Sequence, residues 1–249
     1  MVWLNDARAP DGVRLYAIGD IHGCLEALRT THEAIRSDLA RRPIADWRII
    51  HVGDYTDRGP DSRGVIAFLS AVVADERIVC LRGNHDQMIL DCLAGETDVI
   101  PMWERNGAVT TLESYGLPES ALRLGPELAG ALRAAMPDAH VAFFETLPHA
   151  VQYRDYFFCH AGIEPGVALD EQLAQTLIWI RGPFLNNPDE HEAVIIHGHT
   201  PVDALEVRPN RIGIDTGAVY GGPLTCLVLE GTHKATLGGP FLEPIPVPA

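Results

Sequence analysis

Short apolar runs that end abruptly in Gly, Asp or His recur along the chain. The first three are each followed by a segment in which apolar residues have helical spacing. These runs predict strands over residues 14–18, 48–52 and 77–81. One predicted helix places Leu25, Leu28 and Ile35 on one face, and a second covers 64–73. This alternation of strand, loop and helix indicates an α/β fold with buried sheets.

The second half of the chain has more predicted strands and fewer helices. Its apolar runs cover residues 150–159, 193–196, 211–214 and 224–229. They predict a second sheet. Between the two halves, residues 87–148 lean toward helix but are interrupted by Pro and Gly. We interpret 87–148 as a helical cap insertion within a single domain spanning 1–249. The Pro-rich tail, 238–249, is predicted to be non-helical and to lie on the surface.

Composition narrows the class of protein. The chain has 19 Lys and Arg against 34 Asp and Glu, a formal net charge of −15. This balance argues against nucleic-acid or membrane-surface binding and predicts repulsion of polyanionic substrates outside any local site. Its 5 cysteines form no CxxC pair, which is typical of a reducing compartment. With no long apolar stretch, the protein is predicted to be cytoplasmic.

Polar clusters come directly after the predicted strands. They are Asp20 with His22, Asp54 with Asp57 and Arg58, Asn84 with His85, His160, and His199. The carboxyl ends of strands in an open α/β sheet border the ligand crevice, so we expect these clusters to converge. Convergent Asp, His and Asn side chains predict a metal centre.

The clusters belong to a series of motifs, GDIHG, GDYTDRG, RGNHD, CHAG and HGHTP, which occur in this order between Leu15 and Gly222. The series resembles that of the phosphoprotein phosphatase family, within the calcineurin-like metallophosphoesterases. The resemblance implies an α/β sandwich of two packed mixed sheets flanked by helices.

The resemblance also implies a role for each motif residue. Asp20 and His22 would bind one metal ion, and Asp54 would bridge to a second ion. The remaining ligands of the second ion would be Asn84, His160 and His199. His85 would be the general acid, oriented by Asp57. The phosphate would be bound by Arg58, Arg82 and Arg181, the last of them in IWIR.

Simple physical chemistry supports such a centre. Two divalent ions about 3.5 to 4 Å apart can hold a bridging hydroxide and clamp the phosphoryl oxygens. Only Asp20 and Asp54 among the ligands are anionic, so the hydroxide-bearing centre keeps about one positive charge and attracts a phosphate dianion. Mixed oxygen and nitrogen ligands suit Mn²⁺, Fe or Zn²⁺ better than Ca²⁺. We expect two divalent ions, Mn²⁺ in the first place, with Fe, Zn²⁺ or Ni²⁺ as alternatives.

The leading hypothesis for function is hydrolysis of phosphate monoesters by direct attack of the metal-bridging hydroxide. The substrate would be a phosphoserine or phosphothreonine protein, with phosphotyrosine or a small phosphoester as alternatives. A symmetrical bis(5'-nucleosyl)-tetraphosphatase is a second enzyme hypothesis. Asp57 favours the protein phosphatase branch, whereas Asp86 stands where eukaryotic protein phosphatases usually carry Glu. An inactive metal-bound scaffold is the third hypothesis, and it predicts missing ligands.

Several residues allow two interpretations from the sequence. Asp215 is a partner of a ligand histidine or a turn residue that caps a strand. Four residues of the predicted cap sequence MWERNGAVTTLESYG are candidates for contact with substrate beyond the phosphate: Trp103, Arg105, Asn106 and Tyr115. Core packing explains the two aromatic residues equally well.

Overall fold

The computed structural model describes residues 1–238 and 241–246. Two mixed sheets form its centre. The larger has the strand order β11-β10-β9-β1-β2-β3. Its strands are β1 (Val13–Ile18), β2 (Asp46–His51), β3 (Ile78–Cys80), β9 (Cys226–Glu230), β10 (His233–Gly238) and β11 (Phe241–Pro244). The first three strands are parallel to one another, and β9, β10 and β11 extend the sheet through antiparallel pairs.

The smaller sheet has the order β4-β5-β6-β8-β7. Its strands are β4 (Ala150–Tyr153), β5 (Tyr156–Cys159), β6 (Val194–His197), β7 (Glu206–Val207) and β8 (Arg211–Gly213). Strands β5, β6 and β8 are parallel, whereas β4 and β7 are antiparallel edge strands. Each sheet therefore has three parallel strands whose carboxyl ends can share one edge.

Helices flank the sheets. They are α1 (Leu25–Arg41), α2 (Ser62–Val72), α3 (Asn84–Ala94), α4 (Ile100–Arg105), α5 (Ala108–Ser114), α6 (Leu128–Ala135), α7 (Asp138–Thr146), α8 (Ala174–Trp179) and α9 (Gly182–Leu185). Short 3₁₀ helices cover Glu119–Glu127, Leu169–Glu171 and Ala218–Tyr220. Helices α4 to α7 pack with α2 and α3 around one apolar cluster that includes Trp103, Leu112 and Phe144. In the described part of the chain, every helix is too short or too polar to cross a membrane.

The alternating pattern of the strands explains the layering. Leu15 and Leu229 of the larger sheet pack against Phe158 of the smaller sheet in a fully buried layer. Tyr16 points the opposite way and packs against Ile35 of α1. Because neighbouring strand residues face opposite sides, one sequence run supplies both the layer between the sheets and the layer under the helices.

The predicted fold class, two mixed sheets flanked by helices, is confirmed, with two differences in the strands. The run 150–159 is a hairpin of β4 and β5 rather than one strand, since Arg154 takes the left-handed conformation (φ 55°) at a two-residue turn. The tail is not only a surface segment, because Phe241–Pro244 pairs with β10. The parts of the predicted tail at 239–240 and 247–249 lie outside the described residues.

Candidate metal centre

The loops after the parallel strands hold unusual backbone conformations. Non-glycine residues with positive φ, between 43° and 69°, are His22, Asp54, Asp57, Arg58 and His199. Among the described residues, Arg154 in the hairpin turn is the only other one. Left-handed conformations cost such residues about 1 kcal/mol or more each and gather at functional sites. Backbone strain thus marks the same loops that the motifs select.

Asp54 lies at the middle of this region and is buried. Its Oδ2 is 3.5 Å from His22 Nε2, 3.4 Å from His160 Nε2 and 3.9 Å from His85 Nε2. Two groups of mutually close ligand atoms form around it. One group contains His22, Asp54 and His85, and the other contains Asp54, His160 and His199. Asp54 is the member that both groups share, which is the place a bridging carboxylate would occupy.

The hydrogen bonds of His160 test whether a cation fits. Its Nδ1 donates to the carbonyl oxygen of Val52 at 3.0 Å, so Nε2 presents a lone pair. That lone pair faces Asn84 Oδ1 at 3.0 Å and Asp54 Oδ2 at 3.4 Å, and His199 Nδ1 lies 3.2 Å away. A cation between buried acceptor atoms that face one another would offset their repulsion and their loss of hydration. The donor set fits a divalent metal ion.

His22 has the same arrangement on the other side of Asp54. Its Nδ1 donates to the carbonyl oxygen of Thr56 at 2.7 Å, which leaves the Nε2 lone pair free to act as an acceptor. Arg58 Nη1 occupies that lone pair at 2.7 Å. Burial lowers the pKa of His22 to about 3, so the ring is neutral at physiological pH. Neutral imidazole is the form that binds metals.

Asp20 contributes an unsatisfied carboxylate. Its Oδ2 accepts from the backbone N–H of His199 at 2.9 Å, whereas the buried Oδ1 has no hydrogen-bond partner among the described residues. Burial, together with the nearby charges of Asp215 and Asp54, raises the pKa of Asp20 well above its usual value. Asp20 belongs to neither group of mutually close ligand atoms, but a cation beside it would satisfy Oδ1 and relieve the repulsion.

Asp215 follows β8 and lies beside Asp20. Its Oδ1 accepts from the backbone N–H of Gly217 at 3.0 Å, so it does act as a turn residue. Burial is the main cause that raises its pKa, and the Asp54 charge adds to it. Among the described contacts of Asp215 there is no hydrogen bond to a predicted ligand histidine. The contacts therefore fit a turn residue that caps the strand.

His85 and Asp57 form a buried pair. His85 Nδ1 lies 2.6 Å from Asp57 Oδ2, and both residues are at most 1% exposed. Although burial opposes protonation, Asp54 and Asp57 raise the pKa of His85 above its usual value. The imidazole Nε2 points to Arg58, whose Nη2 lies 2.9 Å away. The pair has the geometry of a proton donor held by a carboxylate.

The three predicted phosphate-binding arginines differ in placement. Arg58 lies between His22 and His85, as described above, and Arg181 Nε donates to His199 Nε2 at 3.0 Å. Arg82 instead donates to Gln87 Oε1 and to the backbone carbonyl oxygens of residues 144 and 145. The structure thus places Arg58 and Arg181 at the centre. The Arg82 side chain instead points into a cleft between α3 and α7.

Two sets of contacts were not foreseen. The Asp86 carboxylate accepts from the backbone N–H groups of Asp54, Tyr55 and Gly83 at 2.8 to 3.1 Å, and it thereby joins the loops after β2 and β3. Its place directly after His85 in RGNHD was the only signal for it. In addition, Trp103 is fully buried and donates its indole N–H to Asp57, so it does not reach the surface where a substrate would bind.

Comparisons with known proteins agree with this geometry. A family model described as calcineurin-like phosphoesterase matches residues 13–229. The chain is 30% identical over 220 residues to serine/threonine-protein phosphatase 1 of Salmonella typhimurium, with 85% of this chain and 89% of the relative covered. It is 29% identical over 233 residues to the asymmetrical bis(5'-nucleosyl)-tetraphosphatase PrpE of Bacillus mycoides, covering 84% and 88%.

Solved structures show the same fold at lower identity. A cold-active protein tyrosine phosphatase has a TM-score of 0.63 and 17% identity, with 98% of this chain and 82% of that chain covered. A putative diadenosine tetraphosphatase has a TM-score of 0.59 and 20% identity, with 96% of each chain covered.

Proposed function

The chain belongs to the calcineurin-like phosphoesterase family, as its motif series predicts, and we propose that it is a phosphomonoesterase acting on phosphoserine and phosphothreonine side chains of proteins. The observation that carries the proposal is the His85–Asp57 pair, in which His85 also belongs to one of the two groups of close ligand atoms that share Asp54. A protonated imidazole next to a phosphate site is suited to a poor leaving group such as a serine alkoxide.

We assign the metal ligands as the resemblance of the motifs implies. One ion would be held by Asp20, His22 and Asp54, and the other by Asp54, Asn84, His160 and His199. Two bound divalent ions, Mn²⁺ in the first place, would supply a water-derived nucleophile and neutralise charge on the phosphoryl oxygens. The lone pairs of His22 and His160 already point inward because each Nδ1–H is fixed by a backbone carbonyl oxygen.

The arginines and His85 would act on the substrate itself. Arg58 Nη1 donates to His22 Nε2, the nitrogen that we assign to a metal ion, whereas Arg181 Nε donates to His199 Nε2, the ring nitrogen opposite the Nδ1 that faces His160. Metal binding at His22 Nε2 and His199 Nδ1 would leave neither Nε2 able to accept, because His199 Nε2 would then carry the ring proton. Both guanidinium groups would then be free to donate to phosphate oxygens, where a forked contact is strongest. Arg82 is left out of this role because its two Nη groups donate to Gln87 and to the backbone carbonyl oxygens of residues 144 and 145. His85 then delivers the proton from Nε2 to the leaving oxygen while Asp57 retains its hydrogen bond to Nδ1.

The test is a comparison of kcat/KM for peptides containing phosphoserine, phosphothreonine or phosphotyrosine and for a dinucleoside tetraphosphate, with the same Mn²⁺ concentration throughout. Asp54→Asn should abolish turnover, and Asp75→Asn, at a half-buried turn position paired with Arg77, is the matched control. Higher kcat/KM for the phosphoserine and phosphothreonine peptides supports the proposal. Absence of turnover of nitrophenyl phosphate with Mn²⁺, Ni²⁺ and Zn²⁺ would instead support the inactive scaffold.

Hydrolysis of a dinucleoside tetraphosphate is the second candidate, favoured by the similarity to PrpE over most of the chain. The products decide its type, since symmetrical cleavage of diadenosine tetraphosphate gives two ADP and asymmetrical cleavage gives ATP and AMP. Preference for this substrate over every phosphopeptide would replace the protein phosphatase proposal.

A further inference from the structure

The Asp57 carboxylate is held by groups from the helical layer α4–α5. Trp103 of α4 donates its indole N–H to Oδ2 at 2.9 Å and lies 3.1 Å from Oδ1. The Thr111 hydroxyl of α5 donates to Oδ1 at 2.6 Å. Together with His85 Nδ1 on Oδ2, these donors surround a carboxylate that has no solvent-accessible surface. Asp57 thus meets neutral donors on every side except that of His85.

The hydroxyl of Thr111 is fixed by its own surroundings. It accepts from the backbone N–H of Asp57 at 2.9 Å and lies 3.0 Å from Ser62 Oγ, which also accepts from the same N–H at 3.1 Å. The single hydroxyl proton of Thr111 must therefore point to Asp57 Oδ1. The hydroxyl proton of Ser62 must then point to the Thr111 hydroxyl oxygen. Each member of this buried network has a defined direction, so the carboxylate orientation is fixed as well.

The turn between α4 and α5 reaches the same loop. Gly107, with φ 101°, accepts from the backbone N–H of Arg58 at 3.3 Å, and a Cβ at this position would lie 2.9 Å from Arg58 Cγ. Helices α4 and α5 are thus packed directly on the loop that carries both Asp57 and Arg58.

We propose that Trp103 and Thr111 are positioning residues for the proton-donating pair, and this inference rests on the proposed function. Their two donors hold the Asp57 carboxylate so that it accepts from His85 Nδ1 and aims His85 Nε2 at the leaving oxygen. The helical layer is therefore part of the catalytic apparatus. Neither residue contacts the substrate, so the effect passes entirely through His85.

The test uses substitutions that remove one donor and keep the shape. Trp103→Phe removes the indole N–H, Thr111→Val removes the hydroxyl, and Thr111→Ser restores it. With Mn²⁺-loaded enzyme, each loss should lower kcat for phenyl phosphate about tenfold, and kcat for nitrophenyl phosphate less than about threefold, because a good leaving group needs little proton transfer. Thr111→Ser should recover at least half of the wild-type rate.

A double-mutant cycle with His85→Asn separates positioning from a general structural effect. If Trp103 and Thr111 act through His85, their substitutions cost nothing further once His85 is Asn. The matched controls are Trp47→Phe and Thr31→Val, whose side chains contact Arg77 and the carbonyl oxygen of residue 27. They should leave both rates unchanged. Equal losses on the two substrates, or losses that persist in His85→Asn, would overturn the positioning role.

A spectroscopic measurement tests the positioning role independently of enzyme activity. In the wild type, the His85 Nδ1–H that bonds Asp57 should give a downfield proton resonance protected from exchange with water. Thr111→Val should broaden it or remove it, and Thr111→Ser should retain it. An unchanged resonance in Thr111→Val would overturn the inference, whereas wild-type enzyme without phosphatase activity would overturn only the proposed function.

Discussion

A buried pair of histidines outside the metal centre predicts how the protein responds to acid. His32 of α1 and His51 of β2 stack, with ring centroids 5.2 Å apart, and their Nε2 atoms are 3.2 Å apart. His51 Nδ1 has no hydrogen-bond partner among the described residues. Burial lowers the pKa of His32 to about 4, and burial with the neighbouring His32 lowers the pKa of His51 well below its usual value.

The sign and size of the effect follow from these pKa values. Both rings are neutral in the folded protein but accept a proton in the unfolded chain below about pH 6.5. Between pH 6.5 and about 4 the unfolded chain binds more protons, so the free energy of unfolding falls as the pH falls. At pH 5 the His32 ring accounts for a loss of about 2 kcal/mol relative to pH 7.5, and His51 lowers the stability in the same direction.

His32→Leu should therefore reduce acid sensitivity. At pH 7.5 the variant loses the hydrogen bond to His51, and we expect it to be about 1 to 3 kcal/mol less stable than the wild type. At pH 5 that difference should shrink by about 2 kcal/mol, because one buried titrating ring is gone.

The assay is urea unfolding followed by circular dichroism at both pH values, with EDTA present so that metal binding does not contribute. His233→Gln, at an exposed position in β10, is the control and should lose stability in parallel with the wild type. Parallel losses for wild type and His32→Leu, to within about 0.5 kcal/mol, would refute the reasoning.

Three other predictions concern the centre itself. His85→Asn should lose about a hundredfold or more in kcat for an alkyl phosphate but much less for nitrophenyl phosphate, and equal losses in steady-state assays would rule out the general-acid role. Asp86→Asn should lower the free energy of unfolding by about 2 kcal/mol, because an amide cannot accept from all three N–H groups; urea unfolding within about 0.5 kcal/mol of the wild type would contradict this. Mn²⁺ should raise the Tm of the wild type but not of Asp54→Asn, and calorimetry showing equal shifts would place the ions elsewhere.

The convergence of the polar clusters could be predicted from the sequence because its signals are local. Each cluster follows an apolar strand directly, and the carboxyl ends of parallel strands meet at one edge, so the contacts of Asp54 with His22 and His160 could be anticipated. Arg82 is different. A motif fixes where a backbone position lies, but the direction of a long side chain depends on nearby acceptors, here Gln87 and two backbone carbonyl oxygens.

Contacts that depend on how the helices pack could not be predicted from the sequence. Trp103 and Thr111 are 46 and 54 positions away from Asp57, and no spacing rule links them. Strand β10 was not predicted for another reason. The segment His233–Gly238 alternates weakly and is followed by Gly and Pro, so its pairing comes from the free edge of β9 rather than from its own apolar residues.

The proposed ligands come from both sheets, and this has a mechanical consequence. Asp20 and Asp54 follow strands of the larger sheet, whereas His160 and His199 follow strands of the smaller sheet. The ion held by Asp54, Asn84, His160 and His199 would therefore cross-link the two sheets, beside the hydrogen bond that already joins Asp20 and His199 across 179 positions of the chain. Because these ligands come together only in the folded chain, the ion would stabilise the folded state by mass action rather than by restricting the unfolded chain as a disulfide does. The metal-loaded protein should accordingly unfold as one unit, with the sheets separating only when the ions leave.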